Sequence, residues 1–316
     1  MKFDNFEALQ NPIADSSIEI VQLAPHPVKG SLLKVGLGDF AFSKSDFSGS
    51  IRGSGPLSQT HFNMKVILDS AGEVNSFGDD VEPGDLICTP PGVDHYLRFG
   101  AAASVAGIAI TPADLRGSFV GEPGLDDYAV WADTHRFRAN AWVASDVKRR
   151  VLATSALLET HGHSLSEAAA EFWRRAILEA FATTVILSAR PHRAHIPSPL
   201  RLMREVERYV DSRPDAPVHI SEISTALRVS RRTLHRAFHD AIGMGPVTFL
   251  RRKRFCAVHT ALTNADPSRT RVTDIAIQFG FLEMGRFAGQ YLSMFGESPS
   301  ATLRKSTYSI RMKGNG

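Results

Sequence analysis

Arg231, Arg232, His235, Arg236 and His239 place five nitrogen-bearing side chains within nine residues, with no acid before Asp240. Set against Leu234, Ala237, Phe238 and Ile242, they separate at helical period, the apolar residues on one face and the basic ones on the other. A guanidinium can donate two parallel hydrogen bonds to guanine O6 and N7, and an imidazole can donate or accept at a base edge. This is the chemistry of a helix that enters the major groove. Ser230 offers a hydroxyl to cap its first turn, and Gly243 ends it.

The apolar framework of this stretch returns. Leu234, Phe238, Ile242, Gly243, Pro246, Leu250 and Arg251 are matched by Phe287, Tyr291, Phe295, Gly296, Pro299, Leu303 and Arg304 at a constant offset of 53 residues. The chain therefore carries two copies of one small unit. A short helix from His219 to Leu227 precedes the first copy, with Ile220, Ile223, Ala226 and Leu227 apolar, and Arg228-Val229-Ser230 forms the turn. Two helices so joined make a helix-turn-helix, which presents the start of its second helix to DNA. The second copy runs from Val272 to Phe281 and then from Leu282 to Phe295, with a last helix from Pro299 to Arg304. Between the copies a helix from Pro246 to Leu262 carries Arg251-Arg252-Lys253-Arg254. Its basic residues are phosphate candidates, and its main expected task is to hold the units about 34 Å apart, one DNA turn. A helix from Leu200 to Val210, with Leu202, Met203, Val206 and Val210 buried, opens the domain.

Charge divides along the same line. Residues 1–198 hold 17 Lys and Arg against 23 Asp and Glu, a net −6, whereas residues 199–316 hold 19 against 10, a net +9. A polyanion is the expected partner of the C-terminal half. The length of 316 residues suits two domains. Cys88 and Cys256 lie far apart, which argues against a disulfide framework or a Cys-rich zinc site and leaves both as small apolar residues. No uncharged run approaches a bilayer's width and the first residues lack a signal peptide's apolar core, so a cytoplasmic protein without membrane association is expected.

From Ser17 to Ile110 short β-type runs alternate with Gly, Pro, Asp and Ser, the pattern of a small barrel or sandwich. In one run Phe62, Met64, Val66 and Leu68 share a face expected to be buried, with Asn63, Lys65 and Asp69 on the other and His61 outward. Pro83 to Phe99 reads as a strand, a stiff turn at Pro90-Pro91-Gly92, and a returning strand on which His95 shares parity with Leu97 and Phe99 and points inward. His95 is a candidate anchor for a ligand, with a core-facing His satisfied by one hydrogen bond as the plainer reading, and Arg52, in a turn-rich stretch, a candidate carboxylate clamp with a solvated surface position as the plainer reading. Two amphipathic helices follow. One places Val147, Val151, Thr154 and Leu158 on a stripe from Asp146 to Thr160. The other runs from Ser164 to Ala189 with Leu165, Ala168, Ala169, Phe172, Ile177, Phe181, Val185 and Ile186, capped by Ser164 or Ser166 after a reversal at Gly162. The Pro-rich, basic stretch around residues 190–198 is the expected linker.

Two resemblances add to this reading. The spacing of Gly84, Pro90, Gly92 and His95 resembles the second motif of cupin barrels; the upstream stretch has His61 followed by Asn63 and no matching Glu, so no metal is expected. Asp274-Ile-Ala-Ile-Gln-Phe-Gly-Phe281, with Phe287, Tyr291, Phe295-Gly296-Glu-Ser-Pro-Ser300 and Arg304, is similar to the signature of AraC/XylS family regulators. The resemblance implies an α+β chain: a cupin-like β-barrel with two following helices as sensory and dimerising domain (1–189), a linker (190–198), and an all-α double helix-turn-helix domain (199–306). It implies base reading at Arg232, His235 and Arg236, with Arg231 and His239 as flanking phosphate contacts. In the second unit Leu282 occupies the place of a capping residue, and Ala288 and Gly289 stand where polar residues usually reach DNA. Glu283, Arg286 and Gln290 are its remaining polar chains, Gln290 partly toward the core, so packing and backbone contacts are its expected share. The expectation is a sequence-specific regulator, an activator by resemblance, that answers to a small-molecule effector, binds promoter DNA as a homodimer and meets RNA polymerase, without cofactor or catalysis. The alternatives are a metal-dependent cupin enzyme fused to a DNA-binding module, and an alkyl-transfer repair protein using Cys88 or Cys256.

Overall fold

Eleven strands open the chain of the computed structural model, which describes residues 2–3, 9, 18–119, 125, 131–133, 135–161, 166–188, 192–193, 198–213, 218 and 220–313. They are β1 (Lys2–Phe3), β2 (Glu19–Gln22), β3 (Gly30–Leu37), β4 (Phe40–Phe47), β5 (Ile51–Pro56), β6 (Phe62–Ser70), β7 (Val74–Ser76), β8 (Asp79–Val81), β9 (Leu86–Thr89), β10 (Asp94–Phe99) and β11 (Ala103–Ile110). Helix α1 (Pro112–Ser118), strand β12 (His135–Phe137), helices α2 (Ala141–His161) and α3 (Glu167–Leu187) and strand β13 (His192–Arg193) follow. The helical half consists of α4 (Ser198–Asp211), α5 (Ile220–Ala226), α6 (Arg231–Ile242), α7 (Pro246–Asn264), α8 (Val272–Gln278), α9 (Met284–Phe295) and α10 (Pro299–Lys313).

The chain divides into two units, one of Met1–Ile20 with Lys29–His195 and the other of Val21–Val28 with Ile196–Gly316. The boundary after His195 falls inside the expected linker, most of which lies outside the described residues, as do Gly162, Ser164, Leu165 and His219. The grouping of Val21–Val28 with the helical unit has no signal in the sequence. The Gln22 side-chain amide donates to the Met294 carbonyl at 2.8 Å and Ser293 Oγ to the Pro25 carbonyl at 3.3 Å, bonds between positions too far apart for any local pattern to register.

In the first unit the strands form two antiparallel sheets, ordered β1-β3-β4-β11-β6-β9-β12-β13 and β2-β5-β10-β7-β8. The strands β9 and β10 thus belong to different sheets: Pro90-Pro91-Gly92 is a corner between sheets rather than the turn of a paired hairpin. Proline's fixed φ and Gly92 at φ +70° suit so sharp a change of direction. Arg52 lies inside β5 rather than in a turn.

The even-numbered residues of β6, Phe62 to Leu68, form one core with Phe40 and Phe42 of β4, Ala106 and Ile108 of β11, Val147, Val151 and Leu158 of α2, and Ile177, Phe181 and Val185 of α3. The two helices therefore cover the outer face of the larger sheet. Its other face, with Lys65, is turned to the second sheet, so β6 is covered on both sides, and Asn63 and Ile67 are buried as well. The sequence expectation of one solvated face fails here because a period of two separates faces without saying what covers each.

The α2 stripe is buried as expected. Ser166 caps α3, its Oγ accepting from Ala169 N–H at 3.3 Å. Phe172 and Ile186 are exposed despite their place in the expected stripe, and Trp173 packs on the core instead. The buried line Ile177, Phe181, Thr184, Val185 extends back along the helix to 173 and 170, not to 172. Gly84 sits where α2 comes closest to the strands: at φ +97°, a Cβ there would stand 2.2 Å from that of Ala144.

Candidate nucleic-acid interface

Helix α6 is held at both ends. Ser230 Oγ accepts from Thr233 N–H at 3.0 Å, and Gly243, at φ 70°, closes the last turn with its N–H donating to the His239 carbonyl at 2.8 Å. Leu234, Ala237, Phe238 and Ile242 are buried, and the Phe238 ring lies 5.5 Å from that of Phe249 on α7. With the helix so fixed, Arg231, Arg232, His235, Arg236 and His239 all stand exposed. The one acid on this face, Asp240, reaches Arg236 only loosely, Nε to Oδ2 at 3.8 Å, and the Arg236 side chain remains 84% exposed. An exposed guanidinium so weakly engaged is available for a phosphate or a base edge.

Helix α9 repeats the frame with a different surface. It too ends on a left-handed glycine, Gly296 at φ 74°, and buries Phe287, Tyr291, Met294 and Phe295. Its N-cap, however, is Glu283, whose side chain makes no capping bond. Glu283 and Arg286 are exposed and pair with each other at 3.5 Å, which offsets their charges. Gln290 is half-buried, and its Oε1 is buried with no hydrogen-bond partner among the described residues. Ala288, Gly285 and Gly289 are exposed, and nothing lies within 4 Å of a Cβ built at either glycine.

The two units also differ in their turns. The first helices, Ile220–Ala226 and Val272–Gln278, are related by 52 residues, as are the left-handed turn residues Arg228 and Gly280 at φ 53° and 79°. The second helices, Arg231–Ile242 and Met284–Phe295, are related by 53. One residue is thus inserted in the second turn. The matching backbone bonds, Val229 N–H to the Ser224 carbonyl and Phe281 N–H to the Ala276 carbonyl, place it after Phe281, at Leu282. Leu282 is not the cap, as the sequence suggested, but an extra residue with 79% of its surface exposed.

Two of the four basic residues in the run on α7 are engaged in packing. Lys253 is buried, with Nζ 2.8 and 3.0 Å from the two Asp211 oxygens, and the Arg254 guanidinium lies over the Phe281 ring. Along the same helix Phe255 stacks on Phe287 at 5.7 Å, and His259 on Phe295 at 4.3 Å. Tyr291 OH donates to Thr302 Oγ1 at 2.9 Å, which in turn donates to Glu297 at 2.8 Å. With the phenol proton so used, His259 Nδ1 at 2.7 Å is the donor to Tyr291, which requires the neutral ring to carry its proton there. Burial lowers the His259 pKa to about 4.

In the first unit the two candidate ligand residues separate. His95 is 1% exposed and lines a cavity between the sheets. Arg52, which is fully buried, alternates with the cavity-lining Ile51 and Gly53 and so points to the opposite face of its sheet, where it meets Glu19 at 3.2 Å and Ser54 at 2.5 Å. Neither the turn nor the solvated surface expected for Arg52 is found. Lys65 takes its place at the cavity, with Nζ 3.2 Å from His95 Nε2. Sequence reasoning set Lys65 aside as an outward residue; the signal for it was parity with the buried Asn63 and Ile67, legible only once the sheet's outer cover is known. His61 bonds Thr60 at 2.8 Å, and among the described residues no three His, Cys, Asp or Glu side chains gather as a metal ion would need. Cys88 and Cys256 are both buried and free, and burial pushes the Cys88 thiol pKa up.

Comparison with known proteins places the strongest similarity on the helical unit. A helix-turn-helix domain family matches residues 223–305. The probable thc operon regulatory protein of Rhodococcus erythropolis is 36% identical over 96 residues, 30% of this chain and 29% of that protein. The XylDLEGF operon transcriptional activator 2 of Pseudomonas putida is 30% identical over 98 residues, 31% of this chain and 62% of that protein. The chain thus spans less than two thirds of either curated relative. The crystal structure of a probable AraC family transcriptional regulator from Rhodopseudomonas palustris is 33% identical, covering 34% of this chain and 97% of that one, with a TM-score of 0.31. With the paired helix-turn-helix units now described, this similarity shows that the helical unit is a helix-turn-helix domain of the AraC/XylS type of transcriptional regulators.

Proposed function

We propose that this regulator binds promoter DNA chiefly through α6 and activates transcription in response to a small molecule held in the first unit. The observation that carries the proposal is the exposed row of Arg232, His235 and Arg236 on a helix capped at both ends, flanked by Arg231 and His239 as phosphate contacts. The relatives include operon activators, which supports activation and contact with RNA polymerase as the working reading. Exposed Trp142, Leu157, Phe172 and Leu187 on α2 and α3 support a homodimer formed through these helices, and light scattering of Phe172→Ala checks it by a shift toward monomer.

The test is selection of binding sites from a random duplex pool by the purified chain, followed by titration of the selected site and of single-base variants. A defined consensus whose preference relaxes in Arg232→Ala and Arg236→Ala supports the reading. A chain that recovers no consensus, or whose consensus is untouched by both substitutions, refutes it. No catalytic step is assigned to the first unit: the reading gives it a binding role, in which the effector favours one arrangement of the chain over another.

A further inference from the structure

Between the two sheets of the first unit lies a cavity of about 80 Å³. One water needs roughly 10–15 Å³ on this measure, so the space suits about six water-sized groups. Its walls are mostly hydrocarbon, including Ile51, Leu97 and Phe99 of the smaller sheet and Phe47 and Val105 of the larger. Lys65 and His95 are the only titratable side chains among its described lining residues, and Ser43 and Ser45 supply the other polar groups. Among the described residues lining the cavity, none is a carboxylate facing the Lys65 amine.

The register of the larger sheet sharpens this. Ser43, Gly107 and Lys65 are direct neighbours across β4, β11 and β6, so their side-chain positions share one row on the cavity wall. Gly107 leaves the middle place empty: a Cβ there would come within 3.4 Å of Ser43 Oγ and 3.5 Å of Lys65 Cγ. An ammonium has three N–H donors, and one points at His95 Nε2, leaving two for another acceptor. Burial brings the Lys65 pKa down to about 8, and burial with the neighbouring Lys65 charge holds His95 well below its usual value, so His95 is neutral and accepts. A single cation in an apolar chamber without a counter-charge is costly, and an anion entering beside it removes that cost.

We infer that this cavity binds a small monocarboxylic acid, its carboxylate held by Lys65 with Ser43 beside the Gly107 gap and its short apolar body set against Leu97 and Phe99. The cavity's single cationic charge selects a monoanion, and its volume excludes long chains. His95 is a positioning residue: its Nε2 anchors the amine, and Thr89 Oγ1, 3.5 Å from Nδ1, stands on the ring's other side. This site rests on the effector-responsive reading above and gives that effector a chemical class.

The experiment titrates the full-length chain by calorimetry with butyrate, hexanoate and benzoate, each beside its neutral amide. At least one of the acids should bind and its amide should bind at least tenfold more weakly. Lys65→Met should weaken the acid at least tenfold, whereas Lys65→Arg retains part of the affinity. Lys65→Met should also raise the melting temperature of the ligand-free chain, since it removes an unpaired cation, which shows that loss of binding is not loss of fold. Gly107→Val, which fills the gap while leaving Lys65 in place, should block the acid too. Equal binding of acid and amide, binding unchanged in Lys65→Met, or no binding by any acid to the folded chain overturns the site. A separate readout is promoter affinity: acid binding that leaves promoter affinity and transcription unchanged keeps the site and refutes the effector reading, whereas Arg232→Ala should weaken promoter binding and keep the acid.

Discussion

The two helix-turn-helix units share a scaffold almost position for position and differ in what the scaffold presents. Both second helices end on a left-handed glycine, and both bury an apolar face that includes aromatic side chains. Yet α6 carries five exposed basic or imidazole groups and a hydroxyl cap, while α9 offers one Arg paired with one Glu, two exposed glycines and an unused cap. The difference teaches that the repeat conserves a way of standing a helix upright and leaves its outer face free to diverge. A core position fixes geometry; a surface position spends that geometry on chemistry.

The comparison breaks most directly at the bases. Arg232→Ala or Arg236→Ala should cost about 1–3 kcal/mol at the selected site, with relaxed base preference, measured by anisotropy titration across single-base variants. Arg286→Ala, at the one Arg on α9, should weaken all sequences alike; a base-specific loss from Arg286→Ala would end the idea of a single dominant reader. The next effect concerns the cores. Tyr291→Phe leaves the His259 Nδ1 and Thr302 partners without the phenol and should destabilise the helical unit by about 1–2 kcal/mol in urea unfolding.

The same cluster predicts a pH dependence of stability. The folded pKa of His259, about 4, lies below the ordinary 6.5, so the unfolded chain binds the extra proton first as pH falls. The stability it contributes is present above about 6.5 and declines as pH drops toward 4. Glu297 and Lys305 face the same ring, and a His259→Phe chain should lose this part of the acid sensitivity in pH-scanned melts. A profile unchanged by the substitution would place the acid response elsewhere.

The smallest contrast is at the caps. Ser230→Ala should cost about 1 kcal/mol because its Oγ holds Thr233 N–H, whereas Glu283→Ala, which removes no capping bond, should change stability by less than about 0.5 kcal/mol. Equal losses in thermal melts would show that the two helix starts are alike after all.

The helical unit was legible because its signals are local. Ser230, Gly243 and Pro246 mark boundaries through hydroxyl geometry, left-handed backbone and ring constraint, and each acts within a few residues. The inserted Leu282 was hidden because the apolar framework from Leu234 onward keeps one offset, and only the turn shows that the preceding helices keep another. Lys65 was hidden for a tertiary reason: alternation along β6 sorts residues into two faces, and the covering of the outer face by α2 and α3 is decided by residues from Val143 onward, far along the chain. Arg52 fails in the same way, since burial beside Glu19 depends on a partner 33 positions upstream.

Helix α7 carries a consequence for affinity. It is a 19-residue helix, about 28 Å long at 1.5 Å per residue, packed on Phe238 at one end and on Phe287, Tyr291 and Phe295 at the other. A stiff tether of this kind makes the second unit's encounter with the duplex intramolecular once the first has landed. Effective concentration then replaces bulk concentration, and even a contact too weak to hold DNA alone multiplies the whole. On that arithmetic, with α6 as the proposed reader, α9 need not recognise any sequence to matter: it can lengthen the residence of a complex whose address the first unit supplies.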